Sequence, residues 1–108
     1  MQNRWLALTL FGALVLSPFA AHADDYVITL KDHAFAPANL TIPANQKIKL
    51  IVKNLGPDQA EFESSDMDRE QVVEANGQIT VFIGPLDPGA YGYFDDFHRD
   101  STGTITAK

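Results

Sequence analysis

Cysteine is absent from this 108-residue chain. The absence excludes sites that depend on thiolates, namely zinc ribbons, iron–sulfur clusters and cysteine nucleophiles. It also means that no disulfide supports the fold, although small secreted domains commonly use them. A hydrophobic core alone therefore has to hold the chain together.

The sequence also lacks the patterns of common hydrolases. It has no Ser-His-Asp spacing, no nucleophile elbow and no phosphate-binding loop. A sustained helical period is missing as well. We therefore assign no catalytic residues.

The first 23 residues have the features of a cleaved secretory signal. Arg4 precedes an apolar core at 6–16, and Ala21 and Ala23 place small residues at the −3 and −1 positions of a cleavage site. The segment is too short and wrongly flanked for a membrane anchor. We predict a signal peptide over residues 1–23 and one periplasmic domain over 24–108, which is not embedded in a membrane.

The predicted mature chain is strongly acidic. Without Arg4, 7 basic residues remain of the 8 in the chain, against 14 acidic ones, so the net charge is −7. Such a surface disfavours nucleic acid and anionic membranes, and it favours metal ions or cationic partners.

Short runs of alternating apolar and polar residues dominate the mature chain, with turn residues between them. Residues 65–71 are expected to form a loop or a single turn, and Tyr91 follows a Pro-Gly turn as in a tyrosine corner. The pattern predicts an all-β, Greek-key sandwich of about seven strands. The predicted strands are residues 26–31, 39–44, 47–54, 60–64, 78–84, 90–95 and 102–107.

Ten of the 14 acidic residues fall within 58–74 and 95–100, and loops at one end of a sandwich can bring such segments together. Carboxylates with one imidazole can bind a metal ion, although clustered acids are also common on surfaces that bind nothing. Met67 suits either a thioether ligand or a cap on the core. For His33 we favour a surface role, since no second ligand lies near it in sequence. The candidate ligands are His98, Asp95, Asp96, Glu61, Glu63 and Met67.

Two long segments resemble the sequences of a known family. "FAPANLTIPANQKIKLIVKN" (35–54) is similar to the opening of cupredoxin domains, and "GPLDPGAYGYFDDFHRDSTGTITAK" (84–108) is similar to their ligand loop and last strand. With "AEFES" (60–64) and "REQVVEANG" (69–77), the chain most resembles the EfeO-type cupredoxin-like domain of bacterial periplasmic iron-uptake systems. The resemblance covers residues 24–108.

The resemblance implies a copper or iron ion near His98, and an iron permease or a second periplasmic protein as partner. It also leaves open a contribution to ferrous iron oxidation. Asp95 stands where blue-copper proteins have cysteine, and Ala60 or Glu61 stands where they have the upstream histidine, so a thiolate blue-copper centre is excluded. The alternative function is a metal-free adaptor that binds a transport partner through its acidic edge.

Overall fold

The computed structural model describes residues 25–108. The predicted signal peptide and its cleavage site lie outside these residues. Every regular element in the described part of the chain is a β-strand. No helix there is long and apolar enough to cross a membrane. The nine strands are β1 (Tyr26–Lys31), β2 (Ala34–Ala36), β3 (Asn39–Ile42), β4 (Ile48–Asn54), β5 (Ala60–Ser64), β6 (Arg69–Val73), β7 (Gln78–Ile83), β8 (Gly89–Asp95) and β9 (His98–Ala107).

The strands form two sheets, which confirms the predicted β-sandwich. The four-stranded sheet has the order β2-β1-β4-β7, and the five-stranded sheet has the order β3-β9-β8-β5-β6. β1 runs parallel to β4 and β3 runs parallel to β9, whereas the other neighbours are antiparallel. Strands that are adjacent in sequence therefore often lie in different sheets, as Greek-key connections require.

The core lies between the sheets and follows from the alternation along each strand. In β4, Ile48, Leu50 and Val52 are buried, while the residues between them are more exposed. The ring of Tyr93 lies 4.9 Å from that of Phe35 in the opposite sheet and 5.2 Å from that of Phe62 in its own sheet, centroid to centroid. Burying side chains of this size contributes about 1.5–3 kcal/mol each, which supplies the stability that no disulfide provides.

The tyrosine corner is confirmed. The hydroxyl of Tyr91 donates a hydrogen bond to the carbonyl of Asp87, at 2.7 Å, four residues earlier in the chain. The bond fixes the turn that leads into β8, the strand that carries the candidate ligands to one end of the sandwich.

Two strands were not predicted. β2 has three residues, and β6 occupies part of the segment 65–71 that was expected to be a loop or a single turn. Both lie at sheet edges, where one side of the strand has no neighbour. Of the five residues in β6 only Val73 is buried, so an alternating apolar pattern is absent from its sequence.

Candidate metal centre

The β8–β9 hairpin places Asp95 and His98 at one end of the sandwich. The two residues are directly paired, so Asp96 and Phe97 form the connecting turn. The side chain of Asp95 accepts a hydrogen bond from the backbone N–H of Phe97, 3.0 Å away and two residues on. This is the local bond by which aspartate stabilises a turn, and it explains why the strand reverses here.

Asp95 is also bonded to the neighbouring strand. The same oxygen, Oδ1, accepts the backbone N–H of Glu61 at 2.9 Å, and Oδ2 lies 3.2 Å from Nδ1 of His98. Only 1 % of the side chain is exposed, so the carboxylate is held in a fixed position. Since both oxygens are engaged, Asp95 is placed to orient His98 rather than to donate directly to an ion.

The contact with Asp95 determines which nitrogen of His98 is available. A carboxylate accepts hydrogen bonds, so it favours the tautomer with the proton on Nδ1 and leaves a lone pair on Nε2. Histidines that ligate metals commonly have this arrangement, with the other ring nitrogen bonded to a carboxylate. The side chain of His98 is 37 % exposed and so remains accessible to an ion.

His98 and Asp95 line a pocket of about 260 Å³ between the ends of the two sheets. The β1–β2 turn and the loop after β4 form its other walls. His33 lies in that turn, and its ring centroid is 4.3 Å from that of His98. His33 therefore has a second imidazole beside it in space, although no second candidate ligand lies near it along the sequence.

Asn54 holds the loop that forms one wall of the pocket. Its side-chain oxygen accepts the N–H of Gly56 at 3.0 Å. Its amide nitrogen contacts the carbonyls of Asp58 at 2.7 Å and of Val73 and Glu74 at 3.2 Å each. The side chain is buried, and it ties the loop to the end of β6. The sequence marked Asn54 only as the end of a strand.

Two of the predicted ligands, Glu61 and Glu63, lie in a separate acidic group together with Glu70. Carboxylate oxygens of Glu61, Glu63 and Glu70 lie within 4.8 Å of one another, and Glu63 pairs with Glu70 across β5 and β6. Asp96 lies near them and forms an ion pair with Arg99. Since Phe62 between the two β5 glutamates is buried, Glu61 and Glu63 point to the outer face of the sheet, whereas Asp95 is buried.

The acidic group has perturbed carboxyl groups. Partial burial raises the pKa of Glu61 to about 6, with the negative charges of Glu70 and Asp96 adding to the effect. Partial burial also raises the pKa of Glu63, as do the charges of Asp96 and Glu70, while Arg99 opposes the increase. The carboxylates of this group therefore repel one another, and the group is distinct from the pocket at His98.

Met67 packs in the hydrophobic core, with 7 % of its surface exposed. It follows the end of β5 that is away from the pocket, where the hydroxyl of Ser64 accepts the Met67 N–H and donates to the carbonyl of Gly92. Of the six predicted ligands, the pocket thus contains His98 and Asp95. Glu61 and Glu63 are in the acidic group, Asp96 lies beside that group, and Met67 is in the core.

Comparisons with known proteins agree with this fold. A family model for the cupredoxin-like domain matches residues 4–107. An uncharacterized protein of Rickettsia prowazekii is 43 % identical over 74 residues, which are 68 % of this chain and 59 % of that protein. The chain therefore spans less than two thirds of the length of this relative.

Solved structures with similar folds include an amicyanin, an auracyanin and the metal-binding domain of a Cu(I)-exporting ATPase. Amicyanin from Paracoccus versutus has a TM-score of 0.64 at 15 % identity, covering 83 % of this chain and 87 % of its own. Auracyanin from Roseiflexus castenholzii has a TM-score of 0.64 at 16 % identity, and the match covers 81 % of this chain and 99 % of auracyanin. A third structure is the metal-binding domain of the Cu(I)-exporting P-type ATPase of Streptococcus pneumoniae, solved with Cu(I). It has a TM-score of 0.70 at 10 % identity, and the match covers 78 % of this chain and 84 % of that domain. These identities are low, so the likeness concerns the fold, and together with the family match it establishes that the chain belongs to the cupredoxin-like domain family.

Proposed function

We propose that the protein is a periplasmic metal-binding accessory protein of an iron-uptake system, and that it holds a copper or iron ion in the pocket at His98. The observation that carries the proposal is the contact between the buried carboxylate of Asp95 and Nδ1 of His98, at 3.2 Å. It directs Nε2 of an accessible imidazole away from the carboxylate, as in many metal-binding histidines.

The donor atoms fit a metal ion but do not fit a blue-copper centre. A blue-copper site needs a thiolate, and the chain has no cysteine. Asp95, at the cysteine position, has both oxygens in hydrogen bonds, and Met67 is in the core. When bound, copper or iron would supply one-electron redox chemistry. The protein would contribute an oriented imidazole and a partly enclosed pocket.

The proposed role in iron uptake rests on the sequence. The resemblance of 35–54 and 84–108 to EfeO-type domains, and the predicted signal peptide over 1–23, favour a periplasmic component that works with an iron permease or a second periplasmic protein. The acidic group of Glu61, Glu63 and Glu70 would raise the local concentration of cations near the site.

Calorimetric titration of the purified protein with Cu(II) and with Fe(III) tests metal binding. We expect one site per chain in the wild type and its loss in His98→Ala. Asp100→Asn is the matched control, because Asp100 is an exposed acid and the third residue of β9. Its replacement removes one charge without touching the pocket. Equal, weak binding by all three proteins would show that the acids act only as surface charge.

The second candidate function is the metal-free adaptor, and the acidic group favours it. Three close carboxylates, one with a pKa raised to about 6, form a compact negative surface that a basic partner could neutralise. Under this alternative, Glu61→Gln and Glu63→Gln would weaken association with the permease and make it less sensitive to salt, while His98→Ala would leave it unchanged.

A further inference from the structure

We propose that His33 is the second nitrogen donor of the pocket, and that one copper ion binds between His33 and Nε2 of His98. The inference rests on the proposed metal-binding function and adds to it a ligand and a choice of metal. It starts from the ring centroids of the two histidines, which are 4.3 Å apart with ring planes inclined at 43°. A ring nitrogen lies roughly 2 Å from the ion that it ligates, so two rings on one ion have to approach each other closely, as these do.

The two histidines come from different sheets. His33 lies in the turn after β1 of the four-stranded sheet, and His98 begins β9 of the five-stranded sheet. Buried Ser101 on β9 donates a hydrogen bond from its hydroxyl to the backbone carbonyl of His33, at 2.5 Å. The turn is thus fixed against the second sheet, and the imidazole of His33 is held beside that of His98.

The backbone of the turn gives a second reason to assign a role to the His33 side chain. Lys31 pairs with Ala34, so Asp32 and His33 form a two-residue hairpin turn, with φ values of 52° and 61°. Such turns favour glycine at the second position, and a side chain in the left-handed region costs roughly 1–2 kcal/mol. Since the turn would form more readily with glycine, the imidazole is not there to make the turn.

Two imidazoles also indicate which metal the pocket binds. Carboxylate-rich sites suit hard ions such as Mg²⁺, Ca²⁺ and Mn²⁺, whereas imidazole suits zinc, copper, iron and nickel. Among first-row divalent ions, copper binds a given nitrogen site most tightly, and iron binds it less tightly than copper does. The outward acidic group, by contrast, has only oxygen donors. The position of His33 also differs from that of the upstream histidine of blue-copper proteins, which corresponds to Ala60 or Glu61 in this chain.

The test compares Cu(II) binding in the purified wild-type protein, His33→Gly and His98→Ala, by calorimetry and by electron paramagnetic resonance. Glycine suits the turn, so His33→Gly should be at least as stable as the wild type, and His33→Asn, which also tolerates the left-handed region, provides a second folded variant. We expect both His33 variants to lose about 100-fold or more in Cu(II) affinity. Removing a residue that only hydrogen-bonds to a metal ligand already lowers metal affinity about 10- to 100-fold, and a direct ligand should contribute at least as much. In the electron paramagnetic resonance spectra, the nitrogen couplings of bound Cu(II) should indicate two imidazole ligands in the wild type and one in the His33 variants.

The outcomes separate this inference from the proposed function. If the His33 variants bind Cu(II) with wild-type affinity and couplings while His98→Ala does not bind, His33 is not a ligand and the metal site at His98 stands. If His98→Ala also binds as the wild type does, both ideas fail. If Zn(II) competes with Cu(II) on equal terms, the assignment of copper is wrong.

Discussion

Replacing Asp95 with asparagine should separate the structural role of this residue from its effect on His98. Asparagine has the same shape, and its oxygen can still accept the backbone N–H groups of Glu61 and Phe97. Its NH₂ group would then face Nδ1 of His98, where a carboxylate oxygen lies 3.2 Å away in the wild type. A donor at this position favours an unprotonated Nδ1, which moves the proton to Nε2 and blocks the nitrogen that we assign to the metal.

The expected magnitudes follow from the hydrogen bonds. Bonds to a charged group contribute about 1.5–3 kcal/mol and neutral ones about 0.5–1.5 kcal/mol. Asparagine also avoids the cost of burying a charge, so Asp95→Asn should lower the free energy of unfolding by only about 1–2 kcal/mol. Asp95→Ala leaves two backbone N–H groups without their acceptor, and at about 1–3 kcal/mol each the loss should be near 4 kcal/mol. Metal affinity should fall about 10- to 100-fold in Asp95→Asn, as for other partners of ligating histidines.

Urea unfolding followed by tyrosine fluorescence measures the stabilities, and calorimetry with Cu(II) measures the affinities, under conditions in which each variant is folded. Asp96→Asn is the control, since it removes an acid from the same turn outside the pocket. Wild-type affinity in Asp95→Asn would refute the role of Asp95 in orienting His98. An unchanged unfolding free energy in Asp95→Ala would refute the hydrogen bonds from the backbone N–H groups of Glu61 and Phe97 to Asp95.

Three other outcomes are expected. The pKa of Glu61 is raised to about 6 in the folded protein, so the contribution of this group to stability is fully present below about pH 4.5 and is lost as the pH rises through 6. Glu70→Gln removes a negative charge beside Glu61 and should therefore stabilise the metal-free protein at pH 7 but not at pH 4. Equal gains at both pH values in urea titrations would contradict this expectation. Tyr91→Phe removes the hydroxyl bond of the tyrosine corner and should lower the unfolding free energy by about 1 kcal/mol, so an unchanged urea midpoint would argue against that bond. Gly103→Ala would place a Cβ atom against ring atoms of Tyr93, and because the packed core can yield little, we expect the unfolding free energy to fall by about 3 kcal/mol or more; a thermal melting temperature equal to that of the wild type would refute the close packing.

The all-β fold could be predicted because its main determinant is local. Alternation in 47–54 gives the buried face of β4, and the turn before Tyr91 gives the tyrosine corner, both as found. The missed strands β2 and β6 are edge strands, which pair on one side and need little apolar sequence. Their existence depends on a neighbour that is already in place.

For the candidate ligands, too, the local sequence predicts some features and tertiary structure decides others. Side chains alternate between the two faces of a strand, so Glu61 and Glu63 of β5 lie on the face opposite Phe62. The sequence by itself therefore determined that these two glutamates share a face. Tertiary structure decided that Asp95 is buried with both oxygens engaged. Local pattern does not encode such partners, because they come from strands distant in the chain.

The contact between His33 and His98 depends entirely on tertiary structure. In sequence, each is an isolated histidine beside a strand end, and neither has a neighbour that marks it as half of a pair. The rings meet because the two sheets pack face to face, and because Ser101 holds the β1–β2 turn against β9. Composition and alternation determined that there is a sandwich with an acidic surface, whereas the packing of one sheet on the other decided which nitrogen atoms share a pocket.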